Sequence, residues 1–214
     1  MTDSPVRTVV HLLRHGEVEN PGRVLYGRLP GFRLSPAGVL MAKRAAQAVA
    51  QRDIVTLISS PLERAIETAT PVAEQFGLEI RTDDRLIEAA NVFEGLTFGV
   101  GDGSLRRPTH WRYLINPFRP SWGEPYAELA ARMLAALAGA CDLARGHEAL
   151  CVSHQLPIWT ARRKLEHRHL WHDPRRRECA LGSLTSVTFD GDDVVSVAYT
   201  EPSGHASDGQ VAGA

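Results

Sequence analysis

The clearest pattern along the chain is a set of short apolar runs that do not alternate with polar residues. These runs cover residues 9–13, 54–59 and 149–153. A strand that is covered on both faces loses the alternation of apolar and polar positions that marks a half-exposed strand. We therefore expect three buried strands.

Helical patterns alternate with these strands. Ser35 is a typical N-cap and Pro36 suits the first helical position, so an alanine-rich helix is predicted from there to about residue 52. Pro71 is expected to kink or interrupt the next helix. Further helices are predicted over residues 62–76, 124–144 and 157–164. The alternation of strands and helices indicates an α/β layered sheet.

The remaining segments carry weaker patterns. Residues 78–82 alternate like a short strand. Residues 183–189 and 194–200 flank an Asp-Gly-Asp-Asp sequence, which predicts a terminal hairpin. Residues 89–123 hold many Gly, Pro and Trp residues and show no clear period. We expect this segment to form an irregular cap that carries substrate selectivity.

The composition excludes several classes of protein. The 214 residues, 43% hydrophobic and 23% charged, suit one soluble domain over residues 1–201 with a disordered tail at 202–214. The apolar runs are too short to span a membrane, no signal sequence is recognisable, and a net charge of −1 gives no reason to expect nucleic acid. Cys141, Cys151 and Cys179 form no C-x-x-C pair. We therefore expect reduced thiols, no zinc and a cytoplasmic location.

Reactive side chains follow the three predicted buried strands. Arg14-His15-Gly16 follows the first strand, Ser59-Ser60 leads from the second toward Arg64, and His154 follows the third. Because α/β sheets bind ligands outside the carboxyl ends of their strands, two arginines and two histidines are expected at one edge. Arginines bind phosphoryl oxygens through paired hydrogen bonds, and neutral imidazole is a competent nucleophile. The sequence therefore points to phosphoryl chemistry at this edge.

Five sequence blocks in order resemble the signature of the histidine phosphatase superfamily, which includes the cofactor-dependent phosphoglycerate mutases. The blocks are Leu12-Leu13-Arg14-His15-Gly16-Glu17, residues 59–69, Leu86-Ile87-Glu88 with Phe93-Glu94-Gly95, Trp122-Gly123-Glu124 with Arg132, and Val152-Ser153-His154. The resemblance extends from about residue 9 to residue 200. It implies a phosphoglycerate mutase-like, three-layer α/β/α sandwich, with a mostly parallel mixed sheet between two helical layers.

The resemblance also implies a role for each residue of the site. His15 attacks phosphorus and becomes a phosphohistidine, while Arg14, Arg64 and His154 hold the phosphoryl oxygens. Glu88 gives a proton to the leaving alkoxide and then takes one from the attacking water. The arginines take the place of a metal ion, so no metal or other cofactor is expected.

Two further residues are candidates for contact with the substrate. Asn20 is expected to add a hydrogen bond to the phosphate, although it lies five positions after His15 where the family usually has six. Arg28 lies either at the mouth of the pocket or on the surface. The expected partner is a small phosphorylated metabolite, with a phosphoprotein as an alternative and a homodimer left open.

Departures from the family pattern leave alternatives. Glu94 competes with Glu88 as the proton donor, and Gln155 stands where the family commonly has Gly and is left unassigned. The Glu-Arg-x-Tyr-Gly block of the mutases is absent after Glu88, which favours a phosphatase over a mutase. A non-catalytic phosphate-binding protein is the third hypothesis. The basic stretch 162–177 is interpreted as a solvated helix end and loop rather than as a patch that attracts anions or nucleic acid.

Overall fold

The computed structural model describes residues 6–97 and 123–202, and a six-stranded sheet lies at their centre. Its strands are β1 (Arg7–Arg14), β2 (Ile54–Ser59), β3 (Ile80–Thr82), β4 (Glu148–Ser153), β5 (Leu184–Asp190) and β6 (Asp193–Thr200). They lie in the order β3-β2-β4-β1-β5-β6. The pairs β3–β2, β2–β4 and β4–β1 are parallel, whereas β5 is antiparallel to β1 and to β6. The carboxyl ends of β1, β2 and β4 therefore lie at the same edge.

Helices cover both faces of this sheet. Those in the described ranges are α1 (Pro36–Ala48), α2 (Glu63–Phe76), α3 (Tyr126–Leu143) and α4 (Gln155–Leu165). Neighbouring residues of β1 contribute to opposite cores: Leu12 belongs to the cluster with Met133 of α3, and Leu13 to the cluster with Ala65 of α2. This alternation is the period of a strand buried on both sides. The predicted three-layer sandwich with a mostly parallel mixed sheet is confirmed.

Two helix predictions need correction: the end of α1 and the effect of Pro71 on α2. The Ser35 hydroxyl accepts a hydrogen bond from the Gly38 N–H, as its predicted capping role requires. However, α1 ends at Ala48 rather than near residue 52, because Val49 leaves helical geometry and is buried where the chain turns toward β2. Pro71 does not interrupt α2. Its ring removes one backbone hydrogen bond, and the buried face of the helix compensates for that loss.

The predicted terminal hairpin is present, and the predicted cap is described only in part. Residues 89–97 form turns together with isolated bridges of Asn91 to Gly123 and of Thr97 to Val24. Most of the predicted cap, at residues 98–122, and the predicted tail from residue 203 onward lie outside the described residues. None of the helices in the described ranges combines the length and apolar character needed to cross a bilayer.

Candidate active site

The three parallel strands at the centre of the sheet deliver the predicted residues to one edge. Arg14 is the last residue of β1 and pairs in register with Ser153, the last residue of β4. His15 and His154 follow directly, and their ring centroids lie 5.1 Å apart. Arg64 reaches the same edge from the first turn of α2, which follows β2. The arrangement expected from the strand ends is therefore present.

The loop that carries His15 is held by close backbone contacts. A Cβ atom at Gly16 would lie 2.5 Å from the carbonyl oxygen of Gly38, so only glycine fits there. The Gly16 N–H donates to Oγ1 of Thr68 at 3.1 Å, and that hydroxyl donates to the Arg64 carbonyl at 2.7 Å. Thr68 thus joins the two sequence blocks that contain His15 and Arg64.

His15 has the tautomer and charge state of a nucleophile. Its Nδ1 lies 2.8 Å from the Gly16 carbonyl oxygen, which can only accept, so Nδ1 carries the proton. Its Nε2 is buried and has no hydrogen-bond partner. Burial, and then the charges of Arg64 and Arg14, lower the pKa of His15 well below its ordinary value. The Nε2 lone pair is consequently free near neutral pH.

Arg14 and Arg64 are each anchored by one nitrogen and leave others unpartnered. Nη1 of Arg14 donates to the Cys179 carbonyl at 2.7 Å, and Nη2 of Arg64 donates to the Gly27 carbonyl at 2.6 Å. The Arg64 guanidinium also lies 4.7 Å from the ring centroid of Tyr26. Nε of Arg14 and both Nε and Nη1 of Arg64 are buried without partners. These N–H groups are available to oxygens of a bound anion.

His154 is oriented by Ser60. Its Nε2 lies 2.8 Å from the Ser60 hydroxyl, and the Leu62 N–H donates to that hydroxyl at 3.4 Å. The Ser60 O–H then donates to His154 Nε2, which leaves the imidazole proton on Nδ1. Nδ1 is buried without a partner. Burial, followed by the charge of Arg64, lowers the pKa of His154 well below its ordinary value, so the group is a neutral donor.

Glu88 has the environment of a protonated carboxyl. Its Oε1 accepts the Ala89 N–H at 2.8 Å, while Oε2 is buried and unpartnered. Burial raises the pKa of Glu88, and the hydrogen bond from the Ala89 N–H and the charges of Arg64 and Arg14 oppose that rise only in part. A proton on Oε2 can therefore be donated to a group bound at this edge.

The competing carboxylate, Glu94, contacts its own loop. It accepts the Asn91 N–H at 3.2 Å and packs so closely on Gly27 that a Cβ atom there would lie 2.3 Å from Oε1. Gly27 has a φ of +40°, which also favours glycine. These contacts suit a residue that orders the loop; the choice of Glu88 over Glu94 as the acid stays a prediction.

The buried polar atoms without hydrogen-bond partners include the donors, the nucleophile and the acid that a phosphoryl-transfer site requires. Within the described chain they include at least one atom from each of the five predicted catalytic residues; the others belong to Trp159, Thr160, Ser183 and Thr185. Buried polar atoms are normally hydrogen-bonded, and an exception requires a physical reason. A tetrahedral phosphate ester would supply acceptors for the arginine and His154 protons, an electrophile for His15 and a leaving oxygen for Glu88.

The two predicted substrate contacts are used within the protein. The Asn20 side chain both donates to the Val24 carbonyl at 2.8 Å and accepts the Val24 N–H at 3.0 Å. Arg28 donates from Nε to the Glu88 carbonyl at 2.7 Å and from Nη2 to Glu124 at 3.1 Å. Contact of either side chain with substrate stays a prediction. Arg28 in particular supports the backbone of Glu88.

Glu124 and Arg132 extend this support. Arg132 donates from Nε and Nη2 to the two carboxylate oxygens of Glu124, at 2.6 and 2.9 Å. Glu124 thereby connects Arg132 to Arg28, and so to the Glu88 carbonyl. The Glu and Arg positions of that sequence block are thus joined by hydrogen bonds to the loop that bears Glu88.

Sequence reasoning missed the inward turn of Arg177. Two members of the basic stretch 162–177, Arg168 and Arg175, are exposed and paired as predicted, with Glu166 and Asp173 as partners. Arg177 instead donates from Nη1 to Gln155 Oε1 at 3.2 Å, next to His154. The signal that could have found it is the polar Gln155 directly after the second histidine.

These features place the chain in a known class. The profile of the histidine phosphatase superfamily (branch 1) matches residues 10–202, and the chain belongs to that family. It is 56% identical over 198 residues to the uncharacterized protein Rv0525 of Mycobacterium tuberculosis, covering 92% of this chain and 98% of that protein. It is 34% identical over 155 residues to the probable phosphoglycerate mutase GpmB of Yersinia pestis, covering 70% of each.

A solved structure supports the same assignment. The mycobacterial glucosyl-3-phosphoglycerate phosphatase Rv2419c, in its complex with VO3, superposes with a TM-score of 0.67 and 26% identity, covering 84% of this chain and 92% of that one. Together, the family and its relatives support a phosphoryl-transfer enzyme.

Proposed function

We propose that the protein is a phosphatase that hydrolyses phosphomonoesters through a phosphohistidine on His15. The observation that carries the proposal is the buried, unprotonated and unpartnered Nε2 of His15. At the same edge of the sheet, Arg14, Arg64 and His154 leave N–H groups without acceptors. A neutral nucleophile surrounded by unused donors suits attack on an anionic phosphate ester.

The proposed first half-reaction forms a nitrogen–phosphorus bond. The Nε2 lone pair of His15 attacks phosphorus as the phosphorus–oxygen bond to the alcohol breaks. The electron pair of that bond stays on the leaving oxygen, which takes the proton from Oε2 of Glu88. Arg14 and Arg64 neutralise charge on the equatorial oxygens, and the Nδ1–H of His154 adds another hydrogen bond.

The proposed second half-reaction returns the enzyme to its starting state. Glu88, now a carboxylate, accepts a proton from water as the water oxygen attacks phosphorus. The bond between phosphorus and His15 Nε2 breaks, and its electron pair returns to the imidazole. Inorganic phosphate leaves, and Glu88 holds the proton again. The fixed arginine charges supply the stabilisation that a metal ion provides in other phosphatases, so we propose that no metal is needed.

A mutase that returns the phosphoryl group to a second hydroxyl is the alternative, favoured by the similarity to a probable phosphoglycerate mutase. The sequence after Glu88 argues for hydrolysis. It continues Ala-Ala-Asn, where the mutase pattern would place further charged and aromatic side chains. A coupled assay with phosphoglycerate and added bisphosphoglycerate distinguishes the two reactions, because only the mutase gives the isomer without free phosphate.

The test is release of inorganic phosphate from a panel of small phosphomonoesters, with a phosphopeptide set as the second arm. We expect turnover that chelator leaves unchanged and that vanadate inhibits. His15→Ala should abolish it, whereas His147→Ala, at an exposed histidine paired with Asp53, should not. Residual turnover above a few per cent in His15→Ala, or a requirement for a divalent ion, would contradict the proposal. A cytoplasmic location also remains a prediction, and fractionation of cells would test it.

A further inference from the structure

Arg177 is a half-buried arginine close to His154, and its described hydrogen-bond partners are neutral. Nε donates to His172 Nε2 at 2.9 Å, and Nη1 donates to Gln155 Oε1 at 3.2 Å. Burial lowers the pKa of His172 to about 4, so this imidazole is neutral near pH 7 and can accept the bond. Tyr126 is a further polar neighbour; burial raises the pKa of its hydroxyl, and Arg177 opposes that rise.

Three other arginines of the stretch 162–177 have carboxylate partners, whereas the exposed Arg176 needs none because water solvates it. Arg162 pairs with Glu166 and Glu178, Arg168 pairs with Glu166, and Arg175 pairs with Asp173. Arg177 forms no such ion pair with a residue in the described ranges. Withdrawing a charge from water without an opposite charge is costly. The site around Arg177 therefore favours an anion that the described protein does not itself provide.

A chain of hydrogen bonds connects Arg177 to Arg14 of the proposed phosphoryl site. Gln155 follows His154, and its Nε2 lies 3.5 Å from the Cys179 carbonyl oxygen. The same carbonyl accepts the Arg14 Nη1–H at 2.7 Å. Gln155 thus lies between the guanidinium groups of Arg14 and Arg177, and its Oε1 accepts the hydrogen bond from Arg177. A glycine after His154 would remove both contacts, which gives this departure from the family pattern a physical role.

Arg177 lies near the proton donor as well. Burial raises the pKa of Glu88, and Arg177 is one of the charges that oppose the rise, after Arg64 and Arg14. Glu88 protonates the leaving oxygen in the proposed mechanism, so the leaving alcohol lies beside it. The Arg177 guanidinium is therefore better placed to contact a group on the leaving alcohol than to contact the transferred phosphate.

We propose that Arg177, held in place by Gln155, binds a second anionic group on the leaving alcohol of the substrate. The inference rests on the proposed phosphatase function and makes the substrate a phosphomonoester of an acidic alcohol. Carboxylate and phosphate share the chemistry that a guanidinium fork recognises. Two of the five N–H groups of Arg177 are used by His172 and Gln155, and the others remain for Tyr126 and the ligand.

The test uses three substrates that share a three-carbon skeleton. Glycerol 3-phosphate has no second anionic group, 3-phosphoglycerate has a carboxylate, and glycerol 1,3-bisphosphate has a second phosphate. Binding is measured by calorimetry in the His15→Ala background, and kcat/KM in the otherwise wild-type protein. Adding Arg177→Gln should weaken binding of the preferred anionic compound by about 10- to 100-fold, the range of a charge-assisted hydrogen bond. Glycerol 3-phosphate should change by less than about threefold.

The matched control is Arg176→Gln, which removes the same charge from the adjacent exposed position. It should leave all three affinities unchanged, and Arg177→Lys should recover part of the lost discrimination because it keeps the charge. An equal loss on neutral and anionic compounds, or no loss on either anionic compound, would overturn the inference. If the protein binds an anionic compound through Arg177 but hydrolyses none of the three compounds, the phosphatase proposal is refuted and the anion site is retained. The better of the two anionic compounds identifies the preferred group.

Discussion

Replacing Glu88 by glutamine removes the proposed acid and leaves its shape. The amide oxygen can still accept the Ala89 N–H that Oε1 accepts at 2.8 Å. The atom that changes is the buried, unpartnered Oε2, which becomes an amide nitrogen without a transferable proton. General acid–base catalysis contributes about 10²–10⁴-fold, or about 3–5 kcal/mol of transition-state stabilisation. We expect a loss of that size for an alkyl phosphate, whose alkoxide leaves poorly without a proton.

The loss should depend on the leaving group. An activated aryl phosphate such as p-nitrophenyl phosphate releases a stable anion, so Glu88→Gln should slow its first half-reaction much less. Single-turnover measurements isolate that half-reaction. The matched variant is Glu94→Gln, which keeps an oxygen for the Asn91 N–H and should weaken both reactions modestly. If Glu94→Gln shows the leaving-group dependence and Glu88→Gln does not, the assignment of the acid is wrong.

Two further predictions concern the histidines and the pH dependence. Ser60→Ala should lower kcat/KM about tenfold or more, because His154 loses the donor that fixes its tautomer. The control Ser59→Ala removes a neighbouring buried hydroxyl, which donates to the Ser60 carbonyl, and should lower kcat/KM less. Equal losses in the two variants would contradict the role given to Ser60. The profile of kcat/KM against pH for an alkyl phosphate, corrected for ionisation of the substrate, should be bell-shaped. Its acid limb should lie below the ordinary histidine range, because burial lowers the pKa of His15 and the nucleophile is lost only when it is protonated. Its alkaline limb should lie above the ordinary carboxyl range, because burial raises the pKa of Glu88 and the acid is lost only when it ionises. Glu88→Gln should abolish the alkaline limb and leave the acid limb in place. An unchanged alkaline limb in that variant would assign the limb to another group.

The sequence predicts the centre of the site well because strand order and strand polarity determine it. Arg14, His15 and His154 follow parallel strands that are neighbours in the sheet, so their approach needs only the three apolar runs to be recognised. Arg64 follows from the capping region of the next helix. These relations depend on local patterns and on one rule about strand ends.

The hydrogen bonds that orient the side chains of the site come from loops and join residues that are far apart along the chain. The Gly27 carbonyl that anchors Arg64 is 37 residues away from it along the chain, and Arg177 meets Gln155 across 22 residues. The Asn20 side chain is bound to Val24, which no periodicity indicates. Hydrogen bonds of this kind arise from the path of irregular segments, for which hydrophobic patterns carry little information.

Pro71 and Arg177 show the same limit on a smaller scale. Pro71 was expected to disturb α2, yet the helix continues because tertiary packing outweighs one missing hydrogen bond. The inward turn of Arg177 likewise overrides the expectation that a basic run is solvated. In both cases burial, which a single sequence does not state directly, decides the outcome.

The most direct test of the account is to trap and locate the covalent intermediate. The protein is mixed with a phosphomonoester that it turns over, quenched in alkali within the first turnover, digested and examined by mass spectrometry. The account predicts a phosphoryl group on Nε2 of His15 that survives alkali, is lost in acid and is absent from His15→Ala. A fully active protein that carries no phosphoryl group during turnover, or that carries it on another residue, would contradict the central claim.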